Sequence, residues 1–132
     1  MIVKGHRVCG GRAAGPALVS RDTLSFLGGV DPETGIVIEK GHPLYGKNVG
    51  GRVLIFPGGK GSTVGSYVIY QLMKNGVAPV AMINVRAEPI VAVGAIISGI
   101  PMVDRLDQDP LETIRDNDTV TVDGTAGTIE VS

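Results

Sequence analysis

The spacing of apolar and polar positions along the chain changes near residue 50. Before that point, short apolar runs alternate with polar residues and are separated by glycine-rich turns, a pattern typical of β-strands. The pattern predicts strands at residues 1–9, 12–20 and 36–39, which we expect to form an antiparallel layer or partial β-barrel. Residues 41–51 have no regular period, and we expect an irregular loop there.

Beyond residue 50, continuous apolar runs alternate with segments in which apolar residues have helical spacing. This pattern predicts strand 53–56, helix 63–74, strand 80–85, helix 89–98 and strand 102–104. Strands joined through helices run parallel by right-handed crossovers, so their carboxyl ends meet along one edge of the sheet. We therefore expect the loop residues that follow these strands to be neighbours.

The end of the sequence returns to strand-like alternation. Residues 109–114 predict a short helical turn, and residues 118–122 and 128–131 predict a hairpin that joins the first β layer. The chain has 132 residues, without internal repeats or a linker-like composition. These features predict a single α/β domain over residues 1–132, with a parallel βαβαβ segment beside the partial barrel.

The most distinctive chemistry lies in the glycine-rich turn after the strand at 53–56. This turn, Pro57-Gly58-Gly59-Lys60-Gly61-Ser62-Thr63, leads into the predicted helix. Glycines allow backbone N–H groups to come close to a ligand, and a helix N-terminus favours negative charge. Lys60 adds a movable cation. The turn is a candidate anion-binding loop, in which Ser62 is an N-cap, a reactive hydroxyl, or both.

Further polar residues follow the other two predicted parallel strands. Arg86 and Glu88 come after the strand at 80–85, and Asp104 and Arg105 lie at the end of the strand at 102–104. A solvated surface is the ordinary explanation for charges in loops. Arg86 and Glu88 can equally pair with one another, and such an exposed pair contributes at most about 1 kcal/mol.

Composition narrows the classes of function. Twelve basic and thirteen acidic residues leave no basic stripe, which argues against nucleic acid as a partner. No apolar run approaches the roughly 20 residues of a membrane span, and the N-terminus lacks an export signal, so we expect a cytoplasmic protein. Cys9 is the single cysteine, and neither His6 nor His42 has a partner at metal-ligand spacing. We assign no metal to this chain.

Two familiar sites do not match the turn. A P-loop needs Ser or Thr after its lysine, whereas Gly61 follows Lys60. A serine hydrolase needs a base beside its nucleophile, and His42 is the only histidine within plausible reach of Ser62. A phosphate-binding module without catalysis stays open, because glycine N–H groups hold anions without a strict consensus. A serine stabilised by N–H groups, Lys60 and an arginine or metal would instead accept a proton.

Three segments, in this order, resemble the small subunits of the aconitase X family. They are Leu24-Ser25-Phe26-Leu27-Gly28-Gly29-Val30-Asp31, His42-Pro43-Leu44-Tyr45-Gly46 and Pro57-Gly58-Gly59-Lys60-Gly61-Ser62-Thr63-Val64-Gly65-Ser66. The resemblance extends over nearly the whole chain, and the third segment is the most specific. It implies a swivelling β/β/α domain, equivalent to the mobile domain of aconitases.

The resemblance implies a hydro-lyase assembled from two chains. In the family, the serine of the Gly-Lys-Gly-Ser segment accepts a proton, which gives this role to Ser62. A large subunit is expected to supply a [4Fe-4S] cluster that activates the leaving hydroxyl. The implied reaction is dehydration of (R)-5-phosphomevalonate to trans-anhydromevalonate 5-phosphate in the archaeal type of mevalonate pathway. A single cysteine cannot hold such a cluster, which agrees with an obligatory partner chain.

The resemblance leaves open which residues hold the substrate. In aconitases an arginine shortly after the loop serine binds a substrate carboxylate, whereas none of the four residues after Ser62 is an arginine. The candidates for substrate binding are Lys60, Gly61, Thr63, Arg12 and Arg86. Other members of the family dehydrate hydroxyproline isomers, and this activity is the alternative to phosphomevalonate dehydration.

Overall fold

The structure is a computed structural model that describes every residue from Met1 to Ser132. It contains eight strands and three helices. Their bounds are β1 (Ile2–Lys4), β2 (His6–Cys9), β3 (Arg12–Val19), β4 (Val53–Phe56), α1 (Gly65–Lys74), β5 (Ala81–Asn84), α2 (Pro89–Ser98), β6 (Met102–Asp104), α3 (Pro110–Thr113), β7 (Thr119–Asp123) and β8 (Thr128–Val131). None of the helices is long and apolar enough to cross a membrane.

All eight strands belong to one sheet, in the order β1-β8-β7-β3-β4-β5-β6-β2. The two outer strands, β1 and β2, are consecutive in the chain and are separated only by Gly5. Because one residue links the two ends of the sheet, the sheet curls until it nearly closes on itself. The predicted partial barrel is confirmed in this form.

Strand β3 joins the two halves of the sheet. Its first residues pair antiparallel with β7, and its last residues, Ala17–Val19, pair parallel with β4. Strands β4, β5 and β6 are parallel, as the alternation of strands and helices predicts. The hairpin of β7 and β8 also returns to the first β layer, through β3 and β1.

The predictions were wrong in two details of the first layer. The single strand predicted at 1–9 is two strands, β1 and β2, of which β1 pairs with β8 and β2 with β6, so residues 1–20 do not form a layer of their own. The strand predicted at 36–39 is absent, and this segment has only single bridges, Val30 with Val37 and Ile36 with Asn48. Gly35 and Gly41 flank the segment with positive φ values, which turn the backbone away before a ladder can extend.

The helices match the predictions closely. α2 has the predicted bounds, with Glu88 as its N-cap and Gly99 in the left-handed conformation at its end. α1 begins at Gly65, two residues later than predicted, because residues 62–64 form a separate turn. Ser62 therefore lies three residues before α1, in the turn that leads into the helix.

Alternating side chains of the sheet form two cores. One side of the central strands, including Leu54, Phe56 and Met82, packs under α1 and α2. The other side, including Val53, Ile55 and Ile83, packs against the β7–β8 hairpin and the α3 segment. Strands buried on both sides explain why β4, β5 and β6 are continuous apolar runs in the sequence. The polar loops at their ends are therefore carried by a rigid base.

We predict that Gly5→Ala destabilises the fold. A Cβ atom at this position would lie 2.7 Å from the backbone oxygen of Asp104. Because this neighbour is a backbone atom, no side-chain rotation can relieve the clash. We expect a loss of about 1–3 kcal/mol in the free energy of unfolding, measured by urea denaturation. Gly10→Ala is the control, because its nearest neighbour is the mobile end of Arg7 at 3.1 Å. Equal losses in the two variants would contradict the role of Gly5 in closing the sheet.

Candidate active site

The glycine-rich loop, defined here as residues 57–64, leaves the carboxyl end of β4 and is fastened to a neighbouring segment. Leu24 donates its N–H to the Gly58 oxygen at 3.2 Å, and Lys60 donates its N–H to the Leu24 oxygen at 3.2 Å. These bonds form a short parallel bridge between Leu24 and Gly59. The first half of the glycine-rich loop is thus fixed by backbone bonds, and its N–H groups there are not all free for a ligand.

Two glycines of this loop are required by close packing. A Cβ atom on Gly59 would lie 2.5 Å from both Glu88 Oε1 and Val91 Cγ2. Gly61 has a φ of +90°, and a Cβ atom there would lie 2.7 Å from Ser25 Oγ. The Gly-Lys-Gly spacing therefore lets the loop lie flat between α2 and the segment around Ser25. Two of the segments that resemble the aconitase X family, around residues 25 and 60, are therefore packed against each other.

Ser62 lies at the exposed tip of the glycine-rich loop. Its Oγ accepts a hydrogen bond from the Val64 N–H at 3.1 Å, and its backbone oxygen accepts one from Gly65 at 3.0 Å. The regular helix begins one residue after Val64, which has no side-chain cap of its own, so Ser62 caps the turn that leads into α1 rather than the first residue of the helix itself. The N–H groups of Gly61, Ser62 and Thr63 have no acceptor within the protein. The hydroxyl and three neighbouring donors are thus available to a ligand.

Lys60 is held by an acidic residue that the sequence did not single out. Its Nζ lies 3.0 Å from Glu39 Oε2, whereas the second oxygen of Glu39 is buried without a hydrogen-bond partner. Lys60 is therefore an anchored cation beside the loop rather than the movable one we expected. An ammonium group has three donors, so two remain for a ligand. The pair joins residues 21 positions apart, and no local pattern could predict it.

Arg86 lies where the sequence predicts it, at the same sheet edge as the glycine-rich loop. Its N–H donates to the Pro57 oxygen at 3.3 Å, and its side chain is exposed. The alternative pairing with Glu88 is not formed. The Glu88 carboxylate instead accepts the N–H groups of Ile90 and Val91, at 3.0 and 2.8 Å, and caps α2. Arg86 consequently has no acidic partner in the chain.

Arg12 does not join this group. It begins β3, five residues before the level at which Ala17 pairs with Val53, the first residue of β4. At about 3.3 Å per residue, it is some 17 Å below the start of β4, whereas the glycine-rich loop follows the end of β4. Arg12 instead lines a surface cavity with residues of β1, β7 and β8. We do not retain it as a substrate-binding candidate.

Asp104 and Asn84 are buried at the ends of their strands. Asp104 Oδ2 accepts the Ala87 N–H at 2.8 Å, and Asp104 Oδ1 lies 2.9 Å from His6 Nδ1. Asn84 donates to the Phe56 oxygen at 3.2 Å, and its Oδ1 has no partner. The Asp104 carboxylate ties β2, β6 and the loop after β5 together. It is a structural part of the site edge.

His42 and Cys9 take no part in the site. Both ring nitrogens of His42 are occupied by backbone groups, Thr23 O at 3.1 Å and Leu44 N at 3.0 Å, which rules out the hydrolase mechanism with His42 as base. Burial raises the pKa of the Cys9 thiol, and the Arg7 charge offsets only part of this effect. No three His, Cys, Asp or Glu residues lie close enough together to hold a metal ion. The residues of this chain do not fit an iron-sulfur cluster.

An apolar groove lies between the first turn of α1 and the length of α2, beside the glycine-rich loop. It has a volume of about 430 Å³ and is lined by Thr63, Ser66, Tyr67, Pro89, Ile90, Val93 and Ile97. Among these lining residues, Tyr67 is 67% exposed and Val93 48%, which is unusual for apolar side chains of one groove on a monomeric protein. Thr63 belongs to this groove, whereas the charged groups lie at the sheet edge.

Known proteins share both the sequence and the fold. The family model described as "Aconitase X swivel domain" matches residues 2–131. A protein of Methanocella arvoryzae named phosphomevalonate dehydratase small subunit is 83% identical over 132 residues, covering all of both chains.

Two solved structures match the whole chain. The crystal structure of Thermococcus kodakaraensis aconitase X, in its holo-form, has a TM-score of 0.95 and 52% identity, covering 98% of that chain. A solution NMR structure of a UPF0107 protein has a TM-score of 0.90 and 47% identity, covering 99% of that chain. From the extent of these matches, the chain is a member of the aconitase X swivel domain family.

Proposed function

We propose that this chain is the small subunit of a hydro-lyase that dehydrates (R)-5-phosphomevalonate to trans-anhydromevalonate 5-phosphate. The observation that carries the proposal is the 83% identity, over the full length of both chains, with a phosphomevalonate dehydratase small subunit. The geometry supports it, since an exposed serine hydroxyl, an anchored lysine and an unpaired arginine lie along one sheet edge. The substrate offers a carboxylate, a hydroxyl and a phosphate to such groups.

Ser62 accepts the proton in this proposal. The carbon–hydrogen bond next to the substrate carboxylate breaks, the proton goes to the Ser62 oxygen, and the electron pair forms the new double bond. The hydroxyl on the adjacent carbon leaves as hydroxide, and the proton that Ser62 then releases converts this hydroxide into water and restores the serine for the next turnover. The Val64 N–H already points at the serine oxygen at 3.1 Å. This hydrogen bond strengthens as the oxygen carries negative charge, which favours the form of the serine that can take a proton.

Lys60, Arg86 and the free N–H groups of the glycine-rich loop bind the anionic parts of the substrate. Glu39 holds one donor of the Lys60 ammonium and leaves two donors for a substrate oxygen. The N–H groups of Gly61, Ser62 and Thr63 lie just before α1, where the helix dipole also favours negative charge. These groups give the loop two means of holding an anion, a charge and a set of backbone donors.

A large subunit completes the site. The relative from Methanocella arvoryzae is itself named a small subunit, which implies a larger partner. We propose that the partner holds the [4Fe-4S] cluster, which would act as the Lewis acid for the leaving hydroxyl. The proposal is supported by the single cysteine of this chain and by the exposed apolar groove beside the glycine-rich loop.

The first experiment is anaerobic reconstitution of this chain with its large subunit, followed by a dehydration assay with 5-phosphomevalonate and with hydroxyproline isomers. We expect turnover of phosphomevalonate only when both chains are present. Turnover of hydroxyproline instead would keep the mechanism and reject the substrate. No turnover of either compound would favour an anion-binding module without catalysis.

Ser62→Ala tests the proton acceptor. We expect kcat of the complex to fall by a factor of about 10²–10⁴, since general-base catalysis contributes on this scale. The free energy of unfolding should change by no more than about 1 kcal/mol, because one exposed hydrogen bond to Val64 is lost. The control is Ser132→Ala, an exposed serine that donates to Thr119 O. Full activity of the Ser62 variant would exclude this residue as the base.

Lys60→Ala tests the anchored cation. A hydrogen bond to a charged group contributes roughly 1.5–3 kcal/mol, so we expect KM to rise by about tenfold or more. Glu39→Gln should have a smaller effect, because the amide oxygen can still accept from the Lys60 ammonium. Lys74→Ala is the control, since its ammonium lies over the Tyr70 ring at the opposite end of α1. An unchanged KM in the Lys60 variant would restrict this lysine to its pair with Glu39.

A further inference from the structure

Two arginines stand side by side at the sheet edge, where the mechanism uses only one of them. Arg86 follows β5 and Arg105 follows β6, and these two strands are parallel neighbours. The Arg105 N–H donates to the Val85 oxygen at 3.0 Å, so the segments that carry the two arginines are bonded to each other. Adjacent strands are about 4.8 Å apart, which puts both side chains within reach of one small anion.

The backbone of Arg105 is unusual for an arginine. Its φ of 50° lies in the left-handed region, which glycine and asparagine adopt more readily. Only one other non-glycine residue, Asn117, has a positive φ. Hydrogen bonding to Val85 holds Arg105 in this conformation. An arginine at a position where glycine would be less strained indicates that the placement of its side chain has a function.

The acidic groups beside the two arginines are already engaged. Asp104 is 2% exposed, and its carboxylate accepts the Ala87 N–H and contacts His6 Nδ1. Arg105 Nε lies 3.7 Å from Asp104 Oδ2, which is too far for a hydrogen bond. Glu88 caps α2. The guanidinium groups of Arg86 and Arg105 therefore donate no hydrogen bond within the chain, although Arg105 keeps a long ion pair with Asp104. His6 Nε2 also has no partner in the chain.

The distance between the two arginines and Ser62 matches the length of the proposed substrate. Strands β4 and β6 are two strand spacings apart, on the order of 10 Å, and Arg86 stands between them with its N–H on the Pro57 oxygen. In phosphomevalonate, five bonds separate the phosphorus from the carbon that loses its proton. A guanidinium group matches two phosphate oxygens with two parallel N–H donors, so a pair of arginines can bind a phosphate dianion from two sides.

We propose that Arg86 and Arg105, fixed in place through Asp104, form the subsite for the phosphate group of the substrate. This inference rests on the proposed function, which supplies the phosphorylated substrate. It moves Arg86 from a general anion-binding role to a phosphate-binding one. It also adds Arg105, and it makes Asp104 a positioning residue that holds the loops after β5 and β6 together.

The test measures KM and kcat of the reconstituted complex with 5-phosphomevalonate. We expect Arg86→Ala and Arg105→Ala each to raise KM at least tenfold, with a smaller change in kcat. The inhibition constant of inorganic phosphate as a competitor should rise by a similar factor. Arg115→Ala is the matched control, because Arg115 is an exposed arginine after α3, on the other face of the sheet. A KM within twofold of the unmodified complex in both variants would overturn the subsite.

Arg105→Gly separates binding from folding. Glycine adopts the positive φ without strain, so this variant should unfold at the same or a higher temperature than the unmodified chain. We expect it still to lose phosphate binding as Arg105→Ala does. A variant with normal KM and higher thermal stability would mean that Arg105 has no part in substrate binding.

A second measurement tests the phosphate subsite without relying on the proposed dehydratase activity. The 132-residue chain is titrated with inorganic phosphate and followed by NMR, since the related UPF0107 chain has a structure in solution. We expect chemical shift changes that saturate at residues 85–88 and 104–106 and are lost in the Arg105 variants. If the complex fails to dehydrate phosphomevalonate but these shifts occur, the activity is wrong and the subsite stands. Their absence would reject the subsite, whatever the complex does.

Discussion

The candidate site depends on backbone hydrogen bonds that join the three loops at the carboxyl edge of the parallel strands. Arg86 N–H binds the Pro57 oxygen, Arg105 N–H binds the Val85 oxygen, and Ala87 N–H binds the Asp104 carboxylate. Strands β4, β5 and β6 beneath them are buried on both faces. The polar groups are thus fixed relative to one another by the rigid part of the fold, although each lies in a loop.

Much of this arrangement follows from local pattern. Apolar runs separated by helical periods predict the parallel segment, and parallel strands bring the residues after each strand to one edge. This pattern alone is enough to predict that Ser62, Lys60 and Arg86 lie at the same edge of the sheet. α2 was predicted to the residue because a proline at its start and a left-handed glycine after its end mark both boundaries locally.

The contacts that could not be predicted are those that join distant parts of the chain. Glu39 lies in a segment that the sequence presents as a strand, and only the fold brings its carboxylate to Lys60. Arg12 follows a glycine pair, which made it a binding candidate, yet β3 runs parallel to β4, so the start of β3 lies at the opposite end of the sheet from the glycine-rich loop. This pairing joins segments that are far apart in the sequence, and the local spacing of residues 12–20 does not show which strand they lie beside or in which direction.

The exposure of Ser62 determines how the proposed chemistry can work. A serine oxygen surrounded by bulk water gains little from one N–H donor, because water competes for the same charge and the effective dielectric is high. The electrostatic advantage appears only when a second surface excludes water from the loop. The chain supplies the proton acceptor and the anion-binding groups on a fixed edge, next to an apolar groove that remains uncovered. A partner that covers this groove would therefore do more than add a Lewis acid, because it would give the Val64 N–H and the Lys60 ammonium their full effect on the reacting oxygen and the bound anion.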